Sequence, residues 1–381
     1  MTYGSVDELQ RVLTDKVFHY AKDKKKAAGR ALGTLVEVIT FYLLRGWGIG
    51  QSVAIERPLP EYCNADITHN VEYSLHPSTI VADLHFGMDR LPISVAKIAK
   101  ALSEKGILIS ADRRRKQHQL ITSKRVLRNA CTIADEAGSF LVATLSEASE
   151  GSVKVTVRRL LGQPFAIVEC KRVGVEEGTR KGPQTIEKAK QGAYVARTVS
   201  SLQKIRLRNG EVGGCFVPSA GQPICKPYNL FIQEIVGGDD PEFLRRFILT
   251  VGVVSNHGNW FTSGNHNKEM KVLAQSYDWL LFLTDKGLSH FVEELILSPS
   301  ATHEPVRDAF LTSYTGQGGK NEFTKVQMAL GADLLLRRYF AENTTTVESW
   351  FNVISPAGQD LSLLRSELHG LANKDWGSIH I

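Results

Sequence analysis

The chain opens on two stretches with helical spacing of apolar positions, residues 6–28 and 30–46. The second, "RALGTLVEVITFYLL", is apolar almost all round and carries one acid, Glu37, before Gly46, Gly48 and Gly50 close it. "THNVEYSL" and "STIVADLHF" read as strands. "SVAKIAKALSEKG" reads as a helix, with Val95, Ile98, Ala99 and Leu102 on one face and a stop at Gly106. "KRVLRNACTIADEAG" reads as another. From residue 139 the period changes to two. "SFLVATLSE", "SVKVTVRRLL" and "PFAIVECKR" are three successive strand-like runs, separated by the turn signals "ASEG" and "LGQP". They predict an antiparallel three-strand meander whose last member, apolar until its end, is covered on both faces.

A helix follows in "GPQTIEKAKQGAYVARTVSSLQ", with Pro183 near its first turn. Residues 203–245 read as an insertion with its own strand, "NLFIQEIV". "RRFILTVGVVS" and "DWLLFLT" are further buried strands, each followed by a helix, "NKEMKVLAQSY" and "KGLSHFVEELIL". Beyond residue 300 the pattern is mainly helical, notably "TKVQMALGADLLLRRYFAEN". The predicted class is α/β, a mixed central sheet flanked by helices. Residues 1–130 form an N-terminal helical and mixed region, 131–300 a core, and 301–381 a helical C-terminal region.

Composition changes this picture little. A 381-residue chain with 43% hydrophobic and 23% charged residues is an ordinary globular protein of one large domain or two. The polar opening "MTYGSVDELQ" is unlike a secretory signal, and no unbroken apolar run reaches the roughly 18 residues of a membrane span. Five scattered cysteines without a CxxC pair argue against a disulfide framework or a zinc finger, and for a reducing, cytoplasmic location. Charge is more telling. Residues 96–130 hold ten Lys and Arg against Glu104 and Asp112, a net of +8 in a chain of +6 overall. Arg113, Arg114, Arg115, Lys116, Lys124, Arg125 and Arg128 form the segment suited to a phosphate backbone, unless it is a solvated face.

The sharpest chemistry is in "FAIVECK". Side chains alternate along a strand, so Glu169 and Lys171 share a face and Cys170 takes the other. A charge is costly inside a sheet, so this strand tip belongs at a cleft or an ion. A carboxylate is a hard oxygen ligand for Mg²⁺, and a lysine beside it can orient water or stabilise charge on a phosphate.

That motif and the order helix, three-strand meander, helix, strand, helix, strand resemble the PD-(D/E)xK nuclease superfamily and, within it, the type II restriction endonucleases. The resemblance covers roughly residues 139–284 and the helix around Glu37. It implies a restriction-endonuclease-like fold, Mg²⁺-dependent hydrolysis of double-stranded DNA, a homodimer and a cognate DNA methyltransferase as functional partner. It places Glu169 and Lys171 in the acid and lysine positions. The family's other metal-binding acid usually starts the second strand of the meander, where no Pro-Asp stands. A tight turn at Gly162–Gln163 would set Glu169 opposite Thr156, leaving Glu150 as the expected second acid, through a bulge, with Glu147 and Asp135 behind it. Glu37 is the expected helix acid near the metal, unless it is a solvent-edge residue. Gln191, with Glu187 and Lys190 on the helix after the motif, is expected to face the cleft or the DNA.

Other readings stay open. "NHGNWFTSGNHN" gathers His257, Asn259 and His266 but lacks the spacing of an HNH nuclease and reads as a polar loop. "SVAKIAKALSEKGILIS" has the flavour of half a helix-turn-helix, which would make the protein a non-catalytic DNA-binding regulator. A repair or recombination nuclease is the third reading. No GxxxxGK[ST] loop is present, so any ATPase motor would be a separate subunit.

Overall fold

The computed structural model describes residues 6–19, 21–173, 191–256, 268–314 and 321–379. Helix α1 (Val6–Lys16) ends earlier than its spacing predicts, and α2 (Lys24–Gly46) starts at the Asp23 cap, whose carboxylate accepts the Lys26 N–H at 3.0 Å. Helix α2 is the one described helix long and apolar enough to cross a bilayer, and most of it is packed inside the molecule. Its apolar circumference has a simple cause. One side lies on the central sheet, and the other on the helix Leu330–Glu342, where Tyr42 Oη donates to Asp333 Oδ1 at 2.8 Å.

Strands β1 (Val53–Pro60) and β2 (Thr68–Leu75) form a hairpin, after which the chain leaves for other sheets. These hold β3 (Ser78–Gly87), β4 (Ile93–Ser94), helix α3 (Val95–Glu104), β5 (Gln119–Ile121), β6 (Val126–Arg128), β7 (Cys131–Glu136), β8 (Ser139–Ala148) and β9 (Ser152–Leu161). The chain returns as β10 (Ala166–Val173). Strands β11 (Gln203–Arg206), β12 (Val212–Phe216) and β13 (Ile224–Pro227) form a small sheet of their own. The rest are β14 (Leu249–Asn256), β15 (Trp279–Leu283), β16 (Gln327–Ala329) and β17 (Phe351–Ser355).

The central sheet runs β1-β2-β10-β14-β15-β17, with β10, β14 and β15 parallel and the other pairings antiparallel. The second is β3-β9-β8-β7 and the third β16-β6-β5-β4. This is the expected α/β class with a mixed sheet. The central sheet draws β1 and β2 from the 1–130 segment and β17 from the 301–381 segment.

Four sequence expectations need correction. The meander is not β8-β9-β10. Both edges of β9 are occupied, by β3 and β8, and β10 pairs with β2 instead. "LGQP" is a crossover between sheets. Leu161 donates to Pro77 O at 3.0 Å, Gly162 to Gly138 O at 2.8 Å, and Phe165 to Leu75 O at 2.8 Å, while Pro164 has no N–H to extend a hairpin. "KRVLRNACTIADEAG" is two strands, β6 and β7. Arg125 (φ 59°) and Ala130 (φ 48°) lie in the left-handed region, which a right-handed helix cannot pass through. "NLFIQEIV" lies in the helix Tyr228–Gly237, which buries Tyr228, Phe231, Ile232 and Ile235 at helical spacing. "TKVQMA" contains β16, and the helix begins only at Leu330.

His76 is buried where the chain crosses between sheets. Its ring nitrogens meet Leu161 O and Ser74 Oγ, each at 2.7 Å, and burial pushes its pKa down to about 3. The unfolded ring titrates near 6.5, so the unfolded chain takes up this proton first. The stability held by neutral His76 is complete above about pH 6.5 and is lost as pH falls toward about 3. The stability advantage of wild type over His76→Gln should therefore shrink by about 2 kcal/mol from pH 7 to pH 5. Urea midpoints of both proteins at the two pH values test this, and a constant difference would count against it.

Candidate active site

Strand β10 pairs with β14 along its whole length but with β2 only over Ala166–Val168, opposite Leu75–Tyr73. Beyond Val168 the strands part, at the level where Glu169 would face Glu72. The Glu169 carboxylate fills the gap, with Oε1 accepting the Glu72 N–H at 3.2 Å. On β1, Glu56 lies between the pairs Ile55–Tyr73 and Arg57–Val71, which puts it level with Glu72 too. Three glutamates thus form a row across three strands. Glu56 holds φ at 52°, a left-handed conformation unfavourable for a side chain of this size.

Helix α2 brings Glu37 to the same place, with Tyr73 Oη donating to its backbone carbonyl at 2.7 Å. Lys325, just ahead of β16, reaches into the group. Its ammonium lies 3.4 Å from Glu37 Oε2 and 3.1 Å from Glu56 Oε1 and is in direct contact with Glu72 Oε2. Lys325 is buried, as is Glu169, whereas Lys171 is half-buried one alternation beyond it. Cys170, of opposite parity, is buried toward Thr40 of α2.

Burial pushes the Glu169 carboxyl up to about 7, with Lys171 pulling it down and Glu37 pushing it up. Glu37 is also raised, chiefly by burial and against the pull of Lys325. The site therefore gathers carboxyl groups in a poorly solvated place, where ionising all of them together is costly.

Two glycines make the room for Tyr277 beside Glu169. Gly252 is its neighbour on β14, and a Cβ there would lie 2.7 Å from the buried ring of Tyr277. Gly192, on the helix of residues 191–198, would place a Cβ 2.6 Å from Tyr277 Oη and 3.8 Å from Glu169 Cβ. Gly252→Ala is expected to cost about 1–3 kcal/mol of stability by overpacking, read as a lower urea midpoint. An unchanged midpoint would show that Tyr277 has space to move.

The structure gathers Glu37, Glu169 and Lys171 as the sequence suggests. It does not bring up Glu150, which is exposed in the turn between β8 and β9, on a sheet separate from β10. The pairing that would have carried it there does not form. Glu147 is engaged with Lys154 at 3.3 Å, and Asp135 with Arg115 at 2.6 Å and Arg57 at 3.3 Å. Sequence reasoning missed Glu56, Glu72 and Lys325. The available signal was the single acid inside the strand "THNVEYSL".

Among the basic residues, Arg113, Arg115, Lys116, Lys124 and Arg125 are exposed, while the Arg114 guanidinium folds back onto Ile109 O. Arg128 pairs with Gln327 across β6 and β16, two residues from Lys325. Asn129 clasps the same segment, its side-chain amide donating to Lys325 O at 3.1 Å and its N–H to Val326 O at 2.9 Å. The basic segment and the acid row therefore both fasten to one stretch of backbone, residues 325–327. Gln191 is exposed beside Gly192. Glu187, Lys190, His257, Asn259 and His266 lie outside the described residues.

The donors are carboxylate oxygens, the kind that Mg²⁺ takes. Among the described residues no group of three or more His, Cys, Asp or Glu side chains is arranged to hold a metal ion; three of the carboxylates close on an ammonium instead. The sequence matches no family model, no curated protein and no solved structure.

Proposed function

We propose that the protein is a Mg²⁺-dependent endonuclease of double-stranded DNA, a type II restriction enzyme of the PD-(D/E)xK superfamily. One observation carries the reading: where β2 and β10 part, Glu72 stands level with Glu169, and Lys171 follows on the same strand. With the meander taken as β1-β2-β10, the family order of helix, three strands, helix, strand, helix, strand runs through α2, β1, β2, β10, residues 191–198, β14, the helix Lys268–Ser276 and β15. The second acid of the resemblance becomes Glu72, on the second strand of the meander, in place of Glu150.

Glu72 and Glu169 are the ligands assigned to Mg²⁺, with Glu37 and Glu56 adding negative charge around them. Bound there, Mg²⁺ would supply positive charge against the scissile phosphate and polarise water. Lys171 orients the attacking water and faces the charge that develops on the phosphate. The exposed cations from Arg113 to Arg128 hold the DNA backbone, so binding should weaken steeply with salt. Homodimer formation and a cognate methyltransferase belong to the same proposal.

The test is incubation of the purified protein with phage DNA, with Mg²⁺ or with EDTA, alongside Lys171→Ala. Discrete fragments that require Mg²⁺ and disappear in the variant support the reading. Smearing that depends on Lys171 points to a repair-type nuclease. Intact DNA that is nevertheless retarded on gels points to a binding protein.

A further inference from the structure

Lys325 has no role in the chemistry above, yet it sits at the centre of the acid row. It is 5% exposed, and its ammonium touches carboxylates from three different elements, α2, β1 and β2. A lysine is driven into such a place only when its charge is matched there, because an unpaired buried ammonium is costly. The match is more than complete. Glu37, Glu56, Glu72 and Glu169 face Lys171 and Lys325, four acids against two cations, which leaves two negative charges when all are ionised. The Lys325 backbone is fixed as well, through the Asn129 clasp and the pairing of β16 with β6, so the side chain is anchored at its root.

Resting on the nuclease reading, we infer that Lys325 is an internal counter-ion that holds the acid row assembled and competes with the divalent cation for the same carboxylate oxygens. A carboxylate oxygen directed at an ammonium is not free to ligate a metal. Metal binding therefore requires the Lys325 side chain to leave Glu72, while its anchored backbone stays in place. The apparent metal affinity is lowered by the fraction of molecules in which the ammonium is seated. Lys325 is in this sense a positioning residue and not a catalytic one.

Calorimetric titration of Mn²⁺ into the full chain tests this without relying on cleavage. Lys325→Met should bind Mn²⁺ at least about tenfold more tightly than wild type, corresponding to a competent fraction of about one tenth. Lys325→Arg, which keeps the charge, should stay within a few-fold of wild type. Equal or weaker binding by Lys325→Met overturns the inference, and so does Lys325→Arg binding as tightly as Lys325→Met. Should Lys325→Met fail to fold, wild type provides the second measurement. Acetylation by acetic anhydride, read by mass spectrometry, should rise at Lys325 when Mn²⁺ is added, and an unchanged or lower level overturns the inference. If neither wild type nor Lys325→Met binds Mn²⁺, this inference and the nuclease reading fall together. If both bind equally and wild type cleaves DNA, only the role of Lys325 falls.

Discussion

Glu72→Gln is expected to slow Mg²⁺-dependent DNA cleavage on the order of 10³-fold, equivalent to about 4 kcal/mol of lost transition-state stabilisation, while Glu150→Gln stays within about twofold of wild type. The contrast follows from strand pairing. Glu72 lies across the parted strands from Glu169 and gives that carboxylate its N–H, whereas Glu150 is exposed in a turn of another sheet. The amide survives in Glu72→Gln, so the bond to Glu169 and the strand itself should persist; what is lost is one anionic ligand and one of the three carboxylates on Lys325, which keeps Glu37 and Glu56. Single-turnover cleavage at saturating DNA measures the two variants. A Glu150→Gln protein that loses activity while Glu72→Gln keeps it would require β9 to stand beside β10 in the working enzyme, contrary to the observed pairing.

The second large effect concerns protons. With its pKa raised to about 7, chiefly by burial, Glu169 keeps its proton in much of the metal-free protein at neutral pH. A metal requires the carboxylate, so binding must release that proton. Apparent affinity for Mg²⁺ should rise close to tenfold per pH unit below about 7 and level off above it. Calorimetry in two buffers of different ionisation enthalpy should report up to one proton released per metal near pH 6, and Glu169→Gln should release none from this position. Stability in the absence of metal runs the other way. The folded pKa exceeds the unfolded one, so the folded chain binds more protons between about 4.5 and 7, and Glu169 makes the protein less stable as pH rises through that window. The total is on the order of 3 kcal/mol. It should be absent from Glu169→Gln.

The strand "FAIVECK" was legible because an apolar run that ends in an acid and a lysine is unusual wherever it lies. Helix α2 was legible because an apolar circumference interrupted by a single acid favours a helix buried on several sides. The partner of Glu169 was not. The antiparallel partner of β10 ends at Leu75, and β10 begins at Ala166, with one whole sheet and three strands of another folded from the residues between. Alternation along a strand reports which face is buried and says nothing about which strand lies alongside, so proximity in sequence favoured β9. Lys325 was hidden for the same reason, since nothing local marks a lysine as reaching acids 253 to 288 positions upstream. The helix Tyr228–Gly237 is a different case. Its spacing was readable, and a short apolar run was assigned the wrong period.

The crossings at Leu75–Ser78 and Leu161–Phe165 run side by side, with the Phe165 N–H bonded to Leu75 O. Everything between them leaves the central sheet and comes back at one point, so lineages could lengthen, shrink or exchange this block while the ends of β2 and β10 stay where they are. The exchange would not be free. The block is also buttoned to the rest of the chain at β6 and β16, beside Arg128 and Lys325. A grafted block would have to reproduce that second fastening, or the recipient would inherit a new basic surface together with a loosened acid row.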